Sequence, residues 1–518
     1  MKTKLKNRIS PLERICAVWF CLLGTALPLA MHDAYFDITR TKAIVGWALS
    51  GALLLGWALW LLLGRKGGKA ASFALSDLLF SLFVLCHLLS TLFFRPFSEA
   101  FFAPDNRFQG LLCFALYGPV FLILRRGGRF GAPVRFALLL GGAAAALIGA
   151  AEIFGADPLG LRAVTPAVEQ PRFLSTVGNV SFFGALCVLI LPIAAWYALS
   201  AKDLRAALPY ALCAMLALCG GMAARTEGFV LGALAFFAAL PLFSRHVTAL
   251  RRIPLLWALA ALAAFGFSLA MERWARYRPS ELTRLLCAPV PMLALAALAA
   301  AAFVLLRKRM DLTVLRVRKV YGILFWAAAA AAVLFLILAN TLWRDSLPDP
   351  IASVAVFSPS WGTDRGAEWA YFFRMFREAP LLRKLIGSGA GSLAAWDRAH
   401  PLFSDAITDS AHNEYLHYLI TGGVIGLGSY LALLVCALRK ALREPSRGRT
   451  AAALGCFAYA VQAAVNLAQP FTTPLFFALL ALIFSDGFAE DGEEKTGPLP
   501  YVALCALTLI LLIAAVPR

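Results

Sequence analysis

Long apolar runs recur along almost the whole chain, separated by short polar gaps. A helix needs about twenty apolar residues at 1.5 Å each to cross about 30 Å of hydrocarbon. Runs of that kind lie at 14–31, 43–63, 73–94, 109–124, 134–154, 180–199, 206–223, 228–244, 253–271, 285–306, 320–341, 414–438, 451–468, 472–487 and 499–517. They predict an all-α protein, a polytopic transmembrane helical bundle of about 12–15 spans. The pairs 206–223 with 228–244 and 451–468 with 472–487 are short, which leaves the count open within that range.

The pattern breaks once. A polar stretch of about seventy residues begins at Leu342 and ends in Asp409-Ser410-Ala411-His412-Asn413-Glu414-Tyr415-Leu416-His417, where an apolar run resumes. Three parts follow: a transmembrane bundle over 1–341, an extracytoplasmic loop with short helices over 342–413, and C-terminal transmembrane helices over 414–518.

Composition agrees, with 61% hydrophobic residues, 15% charged and a mean hydropathy of +0.76, well away from soluble domains. The eleven cysteines all fall in apolar runs and show neither a disulfide framework nor zinc spacing. Residues 1–6 resemble a signal n-region, but no small-residue cleavage site follows, so the first run is expected to stay as a helix.

Charge changes the picture more. The net charge of +19 invites a nucleic-acid reading, yet 29 of the 48 Lys and Arg crowd into alternate gaps counted from the basic N-terminus. Such gaps stay cytoplasmic, which places the N-terminus inside, the 342–413 loop outside, and the chain in the cell membrane with no nucleic-acid stripe. Arg40, Arg107, Arg162, Arg172, Arg225, Arg273, Arg365 and His412 then fall on the outer side against the bias. A pyrophosphate ligand would account for guanidinium groups there.

Individual residues follow from this frame. His87 lies inside the third run, where a neutral ring bonded to a neighbouring helix competes with a functional role. Arg107 enters the fourth span as an interfacial anchor or a lipid-donor contact. Asn179 is suited to cap the next helix, but capping does not explain Arg172, placed where an anion would also meet backbone N–H groups. Arg225 either pairs with Glu227 or faces a cavity and binds phosphate. The Arg-aromatic alternation over 272–278 reads as an aromatic belt.

In the loop, Trp369, Phe372, Phe373 and Phe376 recur at helical spacing and predict a stripe packed on the membrane domain. Gly387, Gly389 and Gly391 offer a phosphate nest, with a tight turn as the competing reading. Ser410 is suited to cap the following helix, placing His412 in its first turn, where the positive helix end keeps the imidazole neutral. A neutral imidazole suits a general base. His417, five positions on, would share no helix face with it. The absence of paired carboxylates argues against a glycosidase.

Five pieces in order resemble the O-antigen ligase family, which includes lipid A-core ligases, O-antigen polymerases and protein O-oligosaccharyltransferases. They are Arg172 through Gly178-Asn179 to Pro192, Arg225-Thr226, Arg365 with Trp369, Pro380-Leu381-Leu382 through Gly391, and Ala411-His412-Asn413-Glu414-Tyr415-Leu416 through Gly426. The resemblance implies glycan transfer from an undecaprenyl-diphosphate carrier to an acceptor hydroxyl at the outer face, with no metal or other cofactor. His412 would be the base, while Arg172, Arg225 and Arg365 would hold the donor diphosphate. Arg107, Gly387, Gly389, Gly391 and Asn413 remain as phosphate or acceptor contacts. The acceptor is open among glycan, lipid and protein. Polymerisation of lipid-linked repeat units is the alternative on the same fold, and a lipid-linked sugar transporter or an envelope scaffold are the readings from other classes.

Overall fold

The computed structural model describes residues 10–63, 73–245, 247–308, 314–404, 407–485 and 487. The chain is helical almost throughout, and every predicted span appears as a helix except 499–517, which lies outside the described residues together with residues 1–6. Among the described residues nine helices are long and apolar enough to cross a membrane, with three shorter apolar ones beside them. The chain is thus an all-α, multi-pass membrane protein.

Burial ranks the helices. Val180–Leu199 is the axis of the bundle, with 94% of its apolar window buried, whereas Val314–Asn340 has only 6% and lies at the rim. Around the axis pack Leu204–Ala223, Arg447–Gln462, Glu227–Phe243 and Ala132–Ile153. The axis starts where Asn179 caps it, its side chain accepting from Ser181 N at 2.8 Å, as its sequence context predicts.

Among the described residues, the two sets of gaps gather at opposite ends of the bundle. At one end Arg252 donates to Leu199 O and Ala201 O, and Arg447 to Tyr197 O. At the other, residues 97–110, 155–179, 224–226, 272–280 and 342–413 meet. There a two-residue hairpin, Phe173–Leu174 against Gly178–Asn179, is pinned from three sides. Ser175 N donates to Glu152 Oε2 at 2.7 Å, Tyr35 OH to Ser175 O at 2.9 Å, and Thr176 Oγ1 to Pro28 O at 2.9 Å.

The helix Glu414–Arg443 lies along Leu75–Phe94 and breaks at Gly423 (φ 71°, ψ −178°), a conformation essentially confined to glycine. The break is forced by close approach. A Cβ at Gly423 would overlap the Leu385 carbonyl oxygen, and one at Gly387 (φ 98°) would overlap that of Thr421. Gly387-Ser388-Gly389-Ala390 is therefore a backbone wedge, and its N–H groups are spent: Gly387 on Arg383 O, Ser388 on Ile420 O, Gly389 on Thr421 O, Ala390 on Thr91 Oγ1. No N–H of these four is left for the phosphate nest, whereas the tight turn is present, closed by Ser392 N donating to Gly389 O at 3.3 Å. Gly423→Ala is expected to cost about 1–3 kcal/mol from backbone strain alone, with the carbonyl overlap adding to that, and to lower the thermal midpoint in detergent. An unchanged midpoint would show that the break relaxes freely.

His87 faces the same break. Its Nδ1 lies 2.8 Å from Phe83 O and its Nε2 3.2 Å from Thr421 Oγ1 on the neighbouring helix, a structural histidine in both bonds. The predicted aromatic stripe is rotated. On Trp361–Glu378 the buried face is Glu368, Phe372 and Met375, while Phe373 is 51% exposed and Trp369 packs at a tilt against Trp361 and Phe357. The i, i+4, i+7 set won because Leu393, Ala411 and Ile420 supply its packing partners, and that rotation carries an acid inward.

Candidate active site

The inward acid meets the histidine. His412 Nδ1 lies 2.9 Å from Glu368 Oε2, with the carboxylate side chain 10% exposed and the imidazole 32% exposed. An ionised Glu368 holds the Nδ1–H tautomer and leaves the Nε2 lone pair for a proton from outside. The backbone at His412 is left-handed (φ 45°). Asn413, not Ser410, caps the following helix, its side chain accepting from Leu416 N at 3.0 Å. Ser410 Oγ instead accepts from His412 N at 3.2 Å. His412 thus precedes the helix rather than lying in its first turn, and the Glu368 carboxylate, rather than the helix end, is what orients its ring. Asn413 engages its side-chain oxygen in that cap.

Guanidinium groups approach this pair from two sides. Arg107 Nη2 bonds Asp409 Oδ1 at 2.9 Å, three residues before His412, and its guanidinium lies 5.6 Å from the Phe182 ring centroid at the start of the central helix. His417, although a helix turn beyond His412, has Asp409, Arg107 and His412 within electrostatic reach. On the other side, Arg365 stands one turn from Glu368. Burial holds its pKa below the usual range, offset in part by Glu227 and Glu368.

Glu227 faces Arg365 and is not the partner of Arg225. Arg225, itself left-handed (φ 56°), donates Nη2 to Pro171 O at 2.6 Å and lies 4.6 Å from the Tyr277 ring centroid. Burial lowers its pKa, Tyr277 opposes that, and the neighbouring Arg162 adds to it. Arg162 donates to Glu152 O at 2.9 Å and to Tyr277 OH at 3.1 Å. A half-buried guanidinium beside another cation, with no carboxylate on it, is under-compensated and suits an anion. Arg172 follows Pro171 directly but points outward, 69% exposed and 3.3 Å from Glu169.

The fold therefore brings His412, Arg365 and Arg225 to one end of the bundle, carries Arg172 there on the same loop, and sets Arg107 beside the His412 segment. Sequence reasoning missed Glu368 and Tyr277. Glu368 sat inside a stripe dominated by aromatics, and Tyr277 inside an alternation that an aromatic belt explains. Among the described residues no group of three or more His, Cys, Asp and Glu is placed to hold a metal ion.

An all-helical membrane protein with a histidine-carboxylate pair among arginines at one end of the bundle is the class defined here. Residues 288–431 match the family model described as O-antigen ligase. The matched segment contains Arg365, Glu368, the Gly387–Gly391 wedge and His412, while Arg172 and Arg225 lie before it. A search of curated proteins gives no match. Over that segment the chain is similar to O-antigen ligases.

Proposed function

We propose that the protein transfers a glycan from an undecaprenyl-diphosphate carrier to an acceptor hydroxyl at the extracytoplasmic end of the bundle. The observation that carries this reading is the 2.9 Å His412–Glu368 pair, with Arg365 in electrostatic reach of Glu368 and of Glu227, two residues past Arg225. His412 Nε2 takes the proton of the acceptor hydroxyl as its oxygen bonds to the anomeric carbon. The bond from that carbon to the diphosphate oxygen breaks, and undecaprenyl diphosphate leaves. Negative charge grows on the departing oxygen, where Arg225 and Arg365, with Arg172 at the rim, supply positive charge. The division of labour follows the three parts of the chain. Residues 1–341 contribute Arg172 and Arg225, 342–413 contribute Arg365, Glu368 and His412, and Ile420 and Thr421 beyond them accept N–H groups of the glycine wedge.

Purified protein in proteoliposomes, given a diphosphate-linked glycan and a hydroxyl acceptor, is expected to release undecaprenyl diphosphate as glycan is transferred. Movement of the intact lipid-linked glycan across the bilayer with no release would overturn the reading in favour of transport. Tyr277→Leu removes the aromatic face under Arg225 and the hydroxyl that Arg162 bonds. With a cation–π contact worth about 0.5–2 kcal/mol, KM for the donor is expected to rise several-fold while kcat changes little. An unchanged KM would show that Arg225 is held by Pro171 alone.

A further inference from the structure

A second feature adjoins Arg225 and takes no part in the chemistry above. Between Leu204–Ala223, Glu227–Phe243, Val247–Trp274, Pro289–Lys308 and Val314–Asn340 lies a cavity of about 320 Å³. Its upper rim is Met222, Phe229 and Thr283, and its floor is Phe237, Trp257 and Tyr321. The polar ends of the floor residues are turned into backbone: Trp257 Nε1 donates to Phe237 O at 3.1 Å and Tyr321 OH to Ala238 O at 2.8 Å. At the rim, the Thr283 hydroxyl is 2.9 Å from Ser280 Oγ. These polar groups of the lining are thereby spent, and the space is left to hydrocarbon.

The rim and the cationic corner are continuous. Arg225 N donates to Met222 O at 3.0 Å, and Tyr277, which stacks on Arg225, leads within four residues into Glu281–Leu286, the short helix that roofs the cavity. From Phe229 the cavity follows its helix down to Ala238, about 14 Å at 1.5 Å per residue. An anion held at Arg225 therefore has an apolar slot next to it that can take a hydrocarbon chain.

We infer that this slot receives the first prenyl units of the donor's isoprenoid chain, an inference that rests on the lipid-diphosphate reading above. Lipid tails are as apolar as the slot, so entry gains van der Waals contact and a fixed approach angle rather than a hydrophobic transfer. Its effect is to hold the diphosphate at Arg225 at one depth.

The test compares donors of the same glycan and diphosphate carrying either the full undecaprenyl chain or a two-prenyl chain, with the whole protein in nanodiscs. Wild type is expected to favour the long chain in KM by about tenfold, and Ala261→Trp, which fills the slot, to abolish that preference. A preference that survives Ala261→Trp overturns the inference. A photoreactive diazirine on the first prenyl units, used on wild type, decides the matter should Ala261→Trp fail to fold. Labelling within Glu227–Phe243 that excess undecaprenyl diphosphate suppresses supports the slot, while equal labelling by a diazirine phospholipid overturns it. Labelling without any glycan transfer by wild type would sink the transferase reading and leave the slot standing.

Discussion

Replacing His412 with Ala is expected to lower kcat for glycan transfer by about 10²- to 10⁴-fold, the usual worth of a positioned general base, while KM for the donor stays near wild type. The split follows from the proposed roles, in which His412 takes the acceptor proton and other groups hold the donor diphosphate. Glu368 sharpens the test. Glu368→Gln keeps an oxygen that can accept from Nδ1–H, so it should lose less than Glu368→Leu, which leaves the ring without an acceptor. Loss of the carboxylate alone is expected to cost about 10- to 100-fold, in the range seen for carboxylates that orient an imidazole. His412→Ala protein that folds and elutes normally yet transfers at the wild-type rate would remove the imidazole from the chemistry. Equal, large losses in Glu368→Gln and Glu368→Leu would mean that charge on Glu368, rather than its hydrogen bond, is what matters, with Arg365 one turn away as the group it compensates.

The bundle was legible in the sequence because apolar runs long enough to span hydrocarbon have few other fates, and each of those among the described residues is a helix. That His412 stands just ahead of a long helix was legible too, since the polar-to-apolar switch there is local. What stood outside reach was register between distant segments. Glu368 lies 44 positions from His412, and only the rotation of Trp361–Glu378 on Leu393, Ala411 and Ile420 turns it inward. Two cap-forming residues, Ser410 and Asn413, stood three apart, and the left-handed turn at His412 decided between them. The alternate glycines looked like a phosphate nest because their tertiary partners, the carbonyls exposed where the next helix breaks, are invisible to composition. Arg225 looked ready for Glu227, its near neighbour in sequence, whereas the turn at Arg225 sends the two side chains to different partners.

The arginines should rank by burial rather than by their place in the motifs. Arg225→Ala is expected to reduce kcat/KM for the donor by about 10²- to 10³-fold, comparable to deleting one preorganised donor to a developing oxyanion. Arg172→Ala, at a side chain 69% exposed and already 3.3 Å from Glu169, should cost less than about tenfold, since solvent screens an exposed charge. Arg225→Lys separates charge from shape. A lysine keeps the cation but cannot both reach Pro171 O and lie flat on Tyr277, so most of the loss should persist. The measurement is donor kinetics for the three variants alongside His412→Ala, each checked for expression and elution. Arg172→Ala proving more damaging than Arg225→Ala would move the diphosphate outward to the rim of the hairpin. Arg225→Lys at wild-type rates would reduce Arg225 to a point charge, and the planar stack on Tyr277 would then have only a structural purpose.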